Sequence, residues 1–153
     1  MNVMSKPHRI AAGAITFRND AVLLVRYRDN AGTYLVGPGG ALLDDENVIQ
    51  AIVRETDEET GVTVHPQRVL FIEDLLCSRF KMSKVWMLCE VTDGTVRRTE
   101  GARKEGIIEA AWFTKAQLAG EVVYPPPLLQ HDWCQLRSDT WLVECLPSRK
   151  AGF

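Results

Sequence analysis

No apolar run in this sequence approaches the roughly 18 residues needed to cross a bilayer. Its N-terminus shows no basic stretch followed by an apolar run and a cleavage site. These absences argue against a membrane partner and predict a cytoplasmic protein. The four cysteines, Cys77, Cys89, Cys134 and Cys145, form no CxxC pair and no zinc spacing. Reduced thiols are therefore expected, not a disulfide framework. Cys89 lies in an apolar strand-like run and reads as a small core residue. Net charge is also scarce, at −2, so nothing drives the chain as a whole toward nucleic acid or an anionic membrane. Internal repeats, linkers and low-complexity tracts are missing, apart from Pro125-Pro126-Pro127. The three histidines, His8, His65 and His131, are scattered, and no role is assigned to them.

What is present suits one domain spanning residues 1–153, with loose ends expected at 1–7 and 148–153. Hydrophobic residues make up 46% and charged residues 25%, as in ordinary globular proteins. The charge is unevenly placed. Residues 40–61 hold seven acids and one arginine, while residues 77–104 hold seven basic residues against three acids. An acidic metal site near a basic segment suits a phosphate-bearing substrate; two solvated faces are the alternative.

Strands are expected at His8–Phe17 and Ala21–Arg28, joined at Arg18-Asn19-Asp20, and at Thr33–Val36 before the Gly37-Pro38-Gly39-Gly40 turn. A helix begins near Asn47, where Asn47 and Gln50 have capping-box spacing, and stops at Gly61. Arg68–Leu76 and Lys84–Thr92 read as longer strands, Thr95–Gly106 as a charged loop and Glu109–Phe113 as a last strand. Lys115–Leu118 starts a short helical turn, and Leu128–Leu136 reads as a second helix. Mixed strands with one long internal helix and one late helix predict an α/β sandwich.

The helix after Gly40 carries the strongest signal. Its C-terminal half has four carboxylates in five residues, Glu55, Asp57, Glu58 and Glu59. Glu55 and Glu59 are like charges at i,i+4, and they sit toward the helix end whose dipole disfavours anions. Acids placed where a helix resists them point to a bound cation. At about 100° per residue, Glu55, Glu58 and Glu59 share one arc. Ile49, Ile52, Val53, Thr56 and Thr60 occupy the adjoining arc, which suits packing on a sheet. Three hard oxygen donors without His or Cys favour Mg²⁺ or Mn²⁺ over zinc.

Gly40, five residues, Glu46, seven residues, Arg54-Glu55, two residues, Glu58-Glu59, one residue, Gly61 and aliphatic Val62 resemble the Nudix box. At residue usage near 6%, chance agreement at seven identities is on the order of 10⁻⁹ to 10⁻⁸ per starting position. Tyr34-Leu-Val-Gly-Pro38-Gly39-Gly40 is similar to the family's approach to the box, which often has Trp where Tyr34 stands. Thr56 departs from the usual aliphatic residue, which affects packing more than chemistry.

The resemblance implies a Nudix-type α/β/α sandwich with a mixed β-sheet. It also implies metal-dependent hydrolysis of a diphosphate linkage in a nucleoside diphosphate joined to another group, a nucleoside triphosphate or similar. Glu55, Glu58 and Glu59, with the Gly40 carbonyl, are the candidate metal ligands. Arg54 is expected to pair with a neighbouring glutamate and fix its rotamer, and Glu46 reads as structural. The catalytic base is expected from the box, as Glu58, or from a later carboxylate, with Glu105 ahead of Glu100 and Glu109. Arg26 and Arg28 are candidates for phosphate, and Tyr34, Phe80 and Trp133 for base stacking. Two alternatives accompany this reading: an ADP-ribose or sugar-nucleotide pyrophosphatase, and a weakly hydrolytic nucleotide sensor. Sensors of that sort often lose box glutamates or add a DNA-binding domain, whereas all the glutamates stand here and no helix-turn-helix is evident. A homodimer is the family expectation.

Overall fold

The computed structural model describes residues 5–152 of the chain. Strands β1 (His8–Arg18) and β2 (Ala21–Asp29) meet at a turn in which Asn19 takes a left-handed φ of 51°, a conformation asparagine tolerates. β3 (Gly32–Val36) pairs antiparallel with β2, and β4 (Gly39–Ala41) folds back antiparallel onto β1. Helix α1 (Val48–Thr60) is followed by the long antiparallel pair β5 (Val62–Leu76) and β6 (Lys81–Gly94). Next come α2 (Glu100–Lys104), β7 (Ile107–Thr114), a 3₁₀ turn at Ala116–Leu118 and β8 (Val123–Tyr124). α3 (Pro127–Gln130), α4 (Trp133–Leu136), β9 (Glu144–Cys145) and β10 (Arg149–Lys150) follow.

The sheet runs β10-β5-β6-β1-β2-β3-β8, with β4 also on β1, β7 on β2 and β9 on β5. β1 is parallel to β6 and antiparallel to β2, so the sheet is mixed, as the sequence predicts. Alternation along the strands separates two cores. Ile15, Phe17, Val22, Leu24, Trp86 and Leu88 face one core together with Leu128, Trp133 and Leu136 of the late helices. Ala12, Ala14, Leu23, Met87 and Cys89 face the other, against Ala51 and Ile52 of α1. Both faces of the central strands are covered, which explains their near-continuous apolar character. The result is the expected α/β/α sandwich.

Helix α1 begins as its sequence demands. The Asn47 side chain accepts from the Gln50 N–H at 2.9 Å, and the Gln50 side chain accepts from the Asn47 N–H at 3.0 Å. Gly61 ends it with φ 72°, donating its N–H to the Asp57 carbonyl. The buried stripe differs from the expected one. Ala51, Ile52, Glu55, Thr56, Glu59 and Thr60 face inward, while Ile49 is 51% exposed. The helix is rotated so that two of the three glutamates lie within its packed face.

Other boundaries differ for local reasons. β5 starts at Val62 and not at Arg68, because the strand runs through Pro66 with register shifts on either side, and a proline in a strand otherwise reads as a break. α2 forms inside the expected loop, capped by Thr99, whose hydroxyl accepts from the Ala102 N–H at 2.9 Å. The expected helix 128–136 is interrupted at His131-Asp132, where the Asp132 carboxylate caps a new turn. The expected loose ends are tied where they are described. The Pro7 carbonyl accepts from the Lys81 N–H, and residues 149–150 form β10 on β5. The remainder of the expected loose ends, residues 1–4 and Phe153, lies outside the described residues.

Thr56, the departure from the aliphatic pattern, is fully buried and its hydroxyl has no hydrogen-bond partner among the described residues. An unsatisfied buried polar group costs about 1–3 kcal/mol. Thr56→Val should raise the unfolding free energy by about 1 kcal/mol, read as a higher urea midpoint at unchanged slope.

Candidate active site

One acid each from two positions of α1 and one from the end of α2 converge beside the glycine turn. Glu55, Glu59 and Glu105 each offer a carboxylate oxygen within 4.8 Å of the others. Glu59 is 1% exposed and Glu55 6% exposed, while Glu105 is open to solvent. Glu59 Oε2 accepts from the Gly39 N–H at 3.2 Å, and its Oε1 has no partner among the described residues. Gly40 stands against Glu55 so closely that a Cβ there would lie 2.6 Å from the Glu55 Oε1. Any side chain at position 40 would displace that carboxylate.

Burial is the main cause that raises both α1 carboxyls above the ordinary range. For Glu59 the rise is large, and the charges of Glu105 and Glu55 add to it. For Glu55, Arg54 works against the rise through a hydrogen bond. Glu105 reaches the cluster because α2 is fastened to the last turn of α1, with the Thr99 hydroxyl donating to the Glu58 carbonyl. Glu105 itself ends α2 as its C-terminal cap.

Arg54 is the hub on the outer side. Its Nε and Nη2 hold the two Glu46 oxygens, the latter at 2.9 Å. Its Nη1 donates to Glu55 at 2.8 Å and to Glu58 at 3.1 Å. Glu46 also accepts from the Leu43 N–H at 3.2 Å. Its expected structural role is thus met through Arg54 and the turn, one residue before the helix cap, and not through the helix dipole. The Arg54 hydrogen bonds are the chief cause that lowers the Glu46 pKa.

Beside the acids lies a cavity of about 620 Å³, lined among others by Gly39, Gly40, Glu59, Tyr27, Tyr34 and Tyr124. Tyr27 and Tyr34 stack with centroids 5.5 Å apart, and Tyr124 meets Tyr34 edge-on at 5.9 Å. Lys84 also lines it, with its ammonium 4.1 Å from the Trp86 ring centroid. Burial lowers the Lys84 pKa, against the attraction of Glu59 and Glu73.

Several expected residues stand elsewhere. Glu58 is exposed and bound to Arg54, outside the group of three. It lies about 100° around the helix from Glu59, on the side turned to solvent. Arg26 has its donors engaged by Glu109, Glu121 and Thr33, and neither it nor the exposed Arg28 lines the cavity. Glu109 is thereby occupied, and Glu100 pairs with Lys104 on the surface. Phe80 lies under Arg9, and Trp133 is a core residue donating to the Leu128 carbonyl. Of the seven basic residues in 77–104, only Lys84 reaches the cavity. Sequence reading missed Tyr27, Tyr124 and Arg149, which all line the cavity, and held Lys84 only as one member of the basic run 77–104. Only alternation along β2 and β6 signals Tyr27 and singles out Lys84.

A family model of the NUDIX domain matches residues 7–133. The chain belongs to the Nudix family. Its curated Nudix relatives include the 8-oxo-dGDP phosphatase NUDT18 of Mus musculus, 28% identical over 115 residues, and that of Homo sapiens, 29% identical over 115 residues. Those matches cover 74% of this chain, which spans about a third (32%) of the length of either relative. Among solved structures, a Nudix hydrolase from Nitrosomonas europaea aligns with TM-score 0.67 at 26% identity, covering 82% of this chain and 85% of that one. An ADP-ribose pyrophosphatase from Streptococcus suis aligns with TM-score 0.62 at 26% identity, covering 90% and 98%.

The raised Glu59 pKa fixes the sign of one pH effect. Between the unfolded carboxyl pKa, about 4.3, and the higher folded value, the folded Nudix domain holds a proton that the unfolded chain releases. Its contribution is therefore favourable at low pH and lost as pH rises through that window. In chelator, wild type minus Glu59→Gln should show Tm falling as pH rises above the unfolded carboxyl value, with Glu59→Gln the more stable at the upper end. Calorimetry across that range reads the difference directly.

Proposed function

We propose that this chain is a divalent-metal-dependent pyrophosphohydrolase that cleaves a diphosphate linkage in a nucleoside diphosphate joined to another group. The observation that carries this reading is the convergence of Glu55, Glu59 and Glu105, two of them buried, with one Glu59 oxygen buried and without a hydrogen-bond partner among the described residues. Buried like charges of this kind are stabilised by a bound cation, and all-oxygen donors suit Mg²⁺ or Mn²⁺. The residues present therefore fit the metal. Glu55 and Glu59 would hold it, with the Gly40 carbonyl, and it would supply charge neutralisation on the phosphate oxygens and a more acidic bound water.

The chain's own groups divide the remaining work. Glu105, the solvent-open acid of the three, accepts the proton of the attacking water. Arg54 holds Glu55 and Glu58 in place, so Glu58 serves on the outer side of the cluster. Lys84 stands near Glu59 and takes a phosphate oxygen. The tyrosine wall offers faces for a base, and the cavity is within the size range of small-molecule sites. The retained acids favour turnover over a sensor role. The likeness to an ADP-ribose pyrophosphatase across most of both chains keeps a sugar nucleotide as the second substrate reading.

A screen of nucleoside di- and triphosphates and ADP-ribose, with Mg²⁺ or Mn²⁺, should release phosphate or nucleotide products from at least one of them. Silence across the whole panel would end the hydrolase reading. With the substrate found, Glu105→Gln should lower kcat by about 10²–10⁴-fold. Glu55→Gln and Glu59→Gln should remove most activity and weaken Mg²⁺ binding by calorimetry, with unchanged circular dichroism.

A further inference from the structure

One wall of the cavity comes from the segment after Ser148. Arg149, Lys150, Ala151 and Gly152 all line it. β10 pairs parallel with β5 through Arg149↔Leu75 and Lys150↔Leu76, and the Ala151 N–H donates to the Leu76 carbonyl at 3.0 Å. This wall is built into the sheet.

Arg149 is its functional group. Nε and Nη2 donate to the two oxygens of Glu73 at 3.4 and 3.5 Å. Glu73 is 1% exposed and also accepts from the Trp86 Nε1–H at 3.0 Å. The guanidinium carbon lies 4.0 Å from the centroid of the Tyr124 ring. Glu73 thus compensates the arginine charge, and Tyr124 backs the guanidinium from one side. Nη1 is left with no hydrogen-bond partner among the described residues.

A charge-compensated, fixed N–H donor suits a neutral carbonyl oxygen better than a phosphate, whose charges belong at the acid cluster and its cation. The Lys84 ammonium, the other inner cation of the cavity, likewise has no hydrogen-bond acceptor among the described residues. An amino group brought to Arg149 would set donor against donor, whereas a keto group would accept. Arginine donates to the O6 of a 6-keto purine in nucleic-acid readout, there as one half of a bidentate contact with O6 and N7; here Nη1 supplies the O6 half.

We propose that Arg149 is a specificity-determining residue that selects nucleotides whose base turns a carbonyl oxygen toward β10, over bases carrying an amino group there. This rests on the cavity being the nucleotide pocket of the proposed hydrolase. Inosine and adenosine diphosphates are the minimal pair, since their bases differ at the 6-position, keto against amino.

The test measures Kd for both by calorimetry on the full chain, and kcat/KM with Mg²⁺ for both. Wild type should favour the inosine nucleotide by about 10-fold. Arg149→Ala should bring the ratio close to one. Because that variant leaves Glu73 buried without its cation, the double variant Glu73→Gln, Arg149→Met keeps the interior neutral and should give the same ratio. Equal affinities in wild type, a preference unchanged in the double variant, or no binding of either nucleotide would each overturn the proposal. Selective binding without turnover of these two would sustain Arg149 as the reader of the base, and joined with silence across the wider substrate panel it would remove the hydrolase reading alone.

Discussion

Two carboxylates buried at i,i+4 on the packed face of one helix are the constraint around which the site is arranged. Glu55 and Glu59 repel each other and are desolvated, and both effects oppose their ionised forms. Neither acid helps α1 to form. The surroundings accommodate them nonetheless. Gly40 leaves space for one carboxylate, the Gly39 N–H donates to the other, and Asn47 with Gln50 anchors the far end of the helix. Glu59 Oε1 is left buried without a hydrogen-bond partner among the described residues.

Two arginines meet carboxylates in different ways. Arg54 is partly exposed and shared among Glu46, Glu55 and Glu58, so it links the turn before the helix to the helix itself. Glu46, held by both the turn and Arg54, is the fixed partner, while Glu58 is the exposed one. Arg149 has one buried partner, Glu73, which is itself tied to Trp86 in the core. Desolvated pairs demand full hydrogen bonding to be tolerated, and Glu73 has three donors directed at its two oxygens.

The chemical end of the site was legible because it is local. Gly40 to Val62 supplies turn, cap, helix and two of the three converging acids, and their spacing carries through into geometry. The choice among Glu55, Glu58 and Glu59 was not legible. All three share an arc, and the side that is buried depends on how α1 sits against Ala12, Ala14 and Met87. Glu105 was placed by its position before β7, but its arrival beside Glu59 depends on α2, a five-residue helix whose only strong local signal is Thr99 as cap. Arg26 has the chemistry for phosphate, yet long-range neighbours Glu109 and Glu121 engage it. Arg149 sits in a two-residue strand that pairs with residues more than 70 positions away, and no local pattern announces such a strand.

This division has a physical consequence for specificity. Most of the cavity wall comes from β2, β3, β6, β8 and β10, with Ala11 of β1, Gly39 and Gly40 of β4 and Leu75 of β5 adding to it, whereas the converging acids come from α1 and the end of α2, and of those acids Glu59 alone also lines the cavity. Tyr124 and Arg149 lie in two-residue strands at opposite ends of the strand order, yet they touch across the cavity. A substitution in either strand changes what the pocket can hold while leaving Glu55, Glu59, Gly40 and the Arg54 hub in place. The Glu73–Arg149 pair limits that freedom at one point: removing the arginine alone strands a carboxylate in the core, so the wall at β10 is coupled to the interior through Trp86, and its identity cannot vary independently of Glu73.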